Sequence, residues 1–191
     1  MKTVLFVPGF QEDTSSRNYR LVLQTIEASG YKVEFVPVTW KRRTILNWAT
    51  ELRAVYRKHD PEQTILAGFS FGATITLVIA SEVPPAELWL FSLSPYFKET
   101  IDMVPKAWLQ NIGHRRTATF SELSLEQLCK TVACLVKLFI GKQEIEKWPD
   151  MKTTFDTANK YFKNCESVVV PDVGHEVDNP KYIAKIKSSI Y

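Results

Sequence analysis

Gly68-Phe69-Ser70-Phe71-Gly72 is the stretch of this chain whose residue types and spacing suit covalent chemistry. It fits the pattern G-x-S-x-G, in which a serine on a sharp strand-to-helix turn is pushed out of the backbone and aimed at a carbonyl. The flanks supply that context. Thr64-Ile65-Leu66-Ala67 reads as a buried strand, and Ala73 to Glu82 can continue as a buried helix. Small residues on either side of the serine let the chain pass close to neighbouring backbone. The helix start aims N–H groups and partial positive charge at a developing oxyanion. Chance matches to so loose a pattern occur in ordinary loops, so a base, an acid and a second oxyanion donor must be sought elsewhere.

His175 is the candidate base. It stands in Pro171-Asp172-Val173-Gly174-His175-Glu176, just after a run that reads as the last strand. A histidine there exchanges protons near neutral pH. His59 falls at a helix end on the opposite side of the sheet, and His114 sits in a basic cluster. For the acid, Glu144 in Gly141-Lys142-Gln143-Glu144 comes first, Asp102 second and Asp172 third. The first strand ends in Pro8-Gly9-Phe10, so the Phe10 N–H, together with that of Phe71, is a candidate oxyanion hole. Phe10, Phe69, Phe71, Trp40 and Trp108 are candidates for an aromatic acyl pocket, although core packing is the commoner use of each aromatic.

These residues need a scaffold that brings strand ends together. Strand-like runs at 3–8, 32–38, 64–69, 87–94, 132–140 and 167–171 alternate with helix-like stretches at 17–29, 44–59, 71–82, 149–163 and 179–190. Strands separated by helices imply crossover connections, hence a mostly parallel sheet covered on both faces. In such sheets ligands gather at the carboxyl ends of the strands. Residues 95–131 are too long for a plain crossover. Their apolar members Met103, Val104, Trp108, Leu109 and Ile112 fit either a small cap over a site or one more piece of core.

Composition narrows the function classes. With 191 residues and 45% hydrophobic content, the chain suits one domain with a sizeable core. A net charge of +3 is too small to imply nucleic acid. Lys41-Arg42-Arg43 and His114-Arg115-Arg116 read as solvated loop ends. No apolar run is long enough for a membrane span, and the N-terminus reads as a strand, not a signal peptide. Cys129, Cys134 and Cys165 form no C-x-x-C pair, which points to reduced thiols and a cytoplasmic setting. No metal spacing is present and no cofactor is called for.

In Gly68–Gly72, Gly141–Glu144 and Gly174-His175, taken in the order serine, acid, histidine, the chain resembles the α/β-hydrolase superfamily. The resemblance covers most of the chain. It implies a small α/β member lacking the first two strands of the larger fold, with six parallel strands in the order 2-1-3-4-5-6. It further implies Ser70 as nucleophile, His175 as base and Glu144 as acid. The function expected on that basis is a serine esterase or thioesterase acting on a small ester or acyl substrate. Acyl transfer, amide cleavage or a non-catalytic binding protein are the alternatives. Oligomeric state is not specified by the sequence.

Overall fold

A computed structural model describes residues 1–16 and 19–190. It contains, in order, β1 (Thr3–Val7), α1 (Tyr19–Ala28), β2 (Lys32–Phe35), α2 (Ile45–Tyr56), β3 (Thr64–Phe69), α3 (Phe71–Glu82) and β4 (Glu87–Phe91). Then follow α4 (Lys106–Ile112), α5 (His114–Phe120), α6 (Leu125–Thr131), β5 (Leu135–Gly141), α7 (Lys142–Lys147), α8 (Pro149–Tyr161), β6 (Cys165–Val170) and α9 (Pro180–Ser189). The six strands form one sheet in the order β2-β1-β3-β4-β5-β6, and every neighbouring pair is parallel. The sequence-based fold therefore holds.

Alternation along the strands sorts the core into two layers. Leu5 and Val7 of β1, Leu66 of β3, Leu88 and Leu90 of β4 and Leu138 of β5 face α2, α3, α6 and α8. The intervening Val4 and Phe6, Ile65 and Ala67, Trp89 and Phe91, and Phe139 face α1 and α9. A period of two puts successive side chains on opposite faces, so strands apolar throughout must be covered twice. Helix α3 lies deepest, with Phe71 through Ala80 all buried. It is apolar on every side because the sheet lies beneath it and helices flank it.

Several strand boundaries differ from the sequence reading. β2 stops at Phe35, before Pro37, whose missing N–H cannot extend the ladder. β5 starts at Leu135, and β6 spans Cys165–Val170, beginning earlier than read. The first helix runs from Tyr19; positions 17 and 18 of the sequence-based helix lie outside the described residues. Segment 95–131 is neither purely a cover nor purely core. Val104 and Ile112 are buried and Leu109 partly so, while Met103 and Trp108 are exposed. Helix α6 packs against α3 and α8 as the crossover into β5. Among the described residues no helix is long and apolar enough to cross a membrane.

Candidate active site

Ser70 sits between β3 and α3 with φ 54° and ψ −117°, a conformation that costs a non-glycine residue about 1–3 kcal/mol. Neighbours hold it there. Its N–H donates to the Phe91 carbonyl at 2.9 Å, continuing the β3–β4 ladder, while its own carbonyl accepts from Ala73 and Thr74 in the first turn of α3. The flanking glycines are required by close approach. A Cβ on Gly68 would lie 2.3 Å from the Gly72 carbonyl oxygen, and one on Gly72 would lie 2.2 Å from that of Val7. The start of α3 is thus pressed against the end of β1, and any side chain at Gly72 would push them apart.

The other strand ends converge on this serine. Ser70 Oγ is 2.9 Å from His175 Nε2, and His175 Nδ1 is 2.6 Å from Glu144 Oε1. These residues lie 105 and 31 positions apart in sequence. Exposure is graded along the line: the Glu144 side chain is 0% accessible, whereas that of His175 is 28% accessible. The carboxylate is sealed in, and the imidazole reaches the cleft where Ser70 lies. The Phe69 ring supports the imidazole from one side, with ring centroids 4.7 Å apart.

Glu144 falls in the first turn of α7, immediately after β5, not in an open loop. Its Oε2 accepts from the Gly141 N–H and from Ser92 Oγ, both at 2.7 Å. Ser92 Oγ lies 3.0 Å from the Tyr182 hydroxyl. With Ser92 donating to the carboxylate, Tyr182 donates to Ser92. Full burial and the Glu144 charge hold the Tyr182 phenol well above its ordinary range, so it stays a donor. Gly141 also serves by approach: a Cβ there would lie 2.4 Å from the Val173 carbonyl oxygen, in the turn that carries His175. The Gln143 N–H donates to that same oxygen at 2.9 Å, tying the acid turn to the histidine turn.

The rival acids are elsewhere. Asp102 is exposed in a 3₁₀ turn, Ile101–Met103. Asp172 is exposed and pairs with Lys181 Nζ at 2.9 Å, which lowers its carboxyl pKa. His59 pairs with Glu34 at 3.4 Å. The thiols are held in their protonated form. Burial pushes Cys134 and Cys165 up to about 11 and Cys129 higher still, so all three remain protonated near neutrality.

A cleft of about 270 Å³ opens over Ser70 and His175. Six aromatic side chains, Phe10, Phe69, Phe71, Tyr96, Trp108 and Trp148, line it. Ser94, Glu12 and Met151 also reach it. Burial and, secondarily, the charge of Asp150 push the Tyr96 phenol up to about 12, so it faces the cleft uncharged. Of the aromatic candidates, Phe10, Phe69, Phe71 and Trp108 line the cleft, whereas Trp40 packs behind Phe10 with ring centroids 5.5 Å apart. The Gly9–Glu12 turn presents Phe10, with Gln11 in the left-handed region and the Glu12 N–H donating to the Gly9 carbonyl at 3.1 Å. The Gly9 N–H is taken by the Tyr19 hydroxyl at 2.9 Å, and that hydroxyl bonds the Glu12 carboxylate.

Sequence reasoning missed Ser92, Tyr182, Glu12 and Tyr19 in the hydrogen-bonded network and Ser94, Tyr96, Trp148 and Met151 in the cleft wall. Ser92 carried a signal, since it directly follows β4 and any polar group at a carboxyl strand end is a site candidate. Tyr182 carried none, because an aromatic in a terminal helix reads as core.

This is the α/β-hydrolase fold, and solved structures agree. The chain superposes on Est1E from Butyrivibrio proteoclasticus, solved with ferulic acid bound, with a TM-score of 0.80 and 17% identity, covering 100% of this chain and 86% of that one. Alpha/beta hydrolase domain-containing protein 10 from mouse gives 0.78 and 12% identity over 98% of this chain and 87% of that one. Carboxylesterase CesB from Bacillus subtilis gives 0.68 and 13% identity over 99% and 83%. At these identities the likeness establishes the fold alone. No protein-family model matches the sequence, and no curated protein matches it.

Proposed function

We propose that this chain is a serine hydrolase cleaving a carboxylic ester or thioester through an acyl-enzyme on Ser70. The observation that carries the reading is the continuous hydrogen-bonded line Ser70 Oγ, His175 Nε2, His175 Nδ1, Glu144 Oε1. His175 takes the Ser70 proton as the oxygen attacks the carbonyl carbon, then returns it to the leaving alkoxide or thiolate. Water, deprotonated by His175, releases the acid and restores Ser70. Glu144, buried against the imidazole, fixes the tautomer with hydrogen on Nδ1 and stabilises the imidazolium. The Phe71 N–H, at the first position of α3, and the Phe10 N–H receive the oxyanion.

The cleft favours an apolar or aromatic acyl group, with Phe69 and Trp108 as contacts and Trp40 acting through Phe10. Esterases among the structural neighbours support ester chemistry, and the ferulic acid held by Est1E suits an aromatic-lined cleft. Segment 95–131 serves in part as a small cap, through Trp108. Three free thiols fit a reducing, cytoplasmic setting. The test is a fluorophosphonate probe followed by a p-nitrophenyl ester chain-length series. Wild type should be labelled and Ser70→Ala spared. A folded wild type that stays unlabelled removes the reading.

A further inference from the structure

Two short basic runs, distant in sequence, meet on one surface beside the cleft. Lys41-Arg42-Arg43 precedes α2, and His114-Arg115-Arg116 opens α5. Arg116 joins them. Its Nε donates to the Arg43 carbonyl at 2.9 Å across 73 positions, its Nη2 to the Trp40 carbonyl at 2.8 Å, and its Nη1 to the Ile112 carbonyl at 2.9 Å. Arg116 therefore fastens one run to the other. Lys41, Arg42, Arg43, His114 and Arg115 are left exposed. A depression of about 330 Å³ is lined by Arg42, Arg43, His114, Arg115 and Arg116.

Among the described residues no carboxylate lines this depression, whose charged side chains are Arg42, Arg43, Arg115 and Arg116. Some exposed lysines elsewhere meet carboxylates, as in Lys130–Glu126, Lys152–Asp156, Lys142–Glu146 and Lys181–Asp172. Among the described residues, Lys41, Arg42, Arg43 and Arg115 have no carboxylate within ion-pair distance. A solvated face mixes its signs; a concave surface of one sign focuses its field on an anion. Arginine forks in particular match phosphate oxygens two at a time.

Position links the surface to the reaction. Phe10 separates it from the cleft: one side of its ring stacks on Phe71 at 4.9 Å, and the Arg116 guanidinium lies 5.2 Å from its centroid. Phe10 is thus a shared wall, lining the cleft beside Ser70 and meeting the Arg116 guanidinium.

We propose that this surface binds phosphate groups carried by the leaving group of the ester or thioester cleaved at Ser70. The proposal rests on the serine-hydrolase reading above and adds the class of substrate. The phosphates take no part in bond changes. The acyl carbon–sulfur or carbon–oxygen bond breaks, the leaving atom takes its proton from His175, and the phosphates leave with it.

The test compares two thioesters of one acyl chain, one on coenzyme A and one on N-acetylcysteamine, which lacks phosphate. Rates are expressed per fluorophosphonate-labelled site. Wild type should prefer the phosphate-bearing thioester by about tenfold or more in kcat/KM, within the range that electrostatic focusing supplies. Inorganic pyrophosphate should inhibit that reaction competitively. Lys41→Glu/Arg43→Glu/Arg115→Glu should erase both effects; the glutamine triple, which perturbs folding less, should weaken them. Labelling with equal rates for both thioesters overturns this proposal and leaves the hydrolase reading standing. Absent labelling overturns both. Loss of flotation with anionic phospholipid vesicles in the variant, with both thioesters cleaved alike, assigns the surface to lipid headgroups and also overturns it.

Discussion

The carboxyl ends of β3, β5 and β6 and the rim built by residues 95–131 border the same cleft, but they are held by different forces. At the strand ends each polar group is bonded to another. Ser70 bonds His175, His175 bonds Glu144, and Glu144 bonds Ser92 and the Gly141 N–H. Around Trp108, which is 41% exposed, the rim is held by packing on buried Val104 and Ile112, while further along Arg116 bonds the Arg43 and Trp40 carbonyls. Directional bonds on rigid strands fix atoms to the precision that proton transfer needs. Non-directional packing around Trp108 leaves that part of the rim free to change shape and composition without disturbing that geometry.

The comparison predicts a steep gradient of mutational effect. At the bonded end, Ser70→Ala or His175→Ala should lower kcat for a p-nitrophenyl ester on the order of 10⁶-fold, with folding unchanged by circular dichroism. Glu144→Gln should lower it about 10⁴-fold, since the tautomer is then wrong, while Asp102→Asn stays near wild type. The reverse order would move the acid role to Asp102. Removing one bond behind the acid is milder. Ser92→Ala forfeits a hydrogen bond to a buried charge, about 1.5–3 kcal/mol, and should slow the reaction about 10- to 100-fold with KM little altered.

At the rim, Trp108→Ala should leave kcat for a short acyl ester within about twofold and raise KM for aromatic acyl esters several-fold, because only burial of the acyl group is lost. A large fall in kcat for the short ester would mean that the rim also sets catalytic geometry. One substitution tests the scaffold instead. Gly72→Ala places a methyl against the Val7 and Pro8 carbonyl oxygens and should cost about 3 kcal/mol of stability in urea denaturation, since neither backbone can withdraw.

Much of this end of the molecule was legible before any coordinates. The G-x-S-x-G turn, the histidine after the last strand and the carboxylate after the fifth are local patterns, and the sheet order followed from the resemblance they carry. Boundaries slipped by a few residues, as at the start of β5, where no glycine or proline marks it, and at the end of β2, despite Pro37. Ser92 was read as the interior of a strand because its φ of 48° ends β4 without any change of residue type. Trp40 was placed in the pocket because exposure of an aromatic cannot be read from its neighbours in sequence; packing against Phe10 and Trp48 put it one layer behind.

The sequence by itself determined the fold class and the turns that present Ser70, Glu144 and His175. Period-two burial and glycines at backbone contacts are written in local residue order. Only the tertiary structure decided which carboxylate meets the histidine, that Ser92 and Tyr182 stand behind it, and that two basic runs form one surface. Each of these is a contact between segments far apart in the chain. Such contacts are set by how strands pair and helices pack, which no local pattern records.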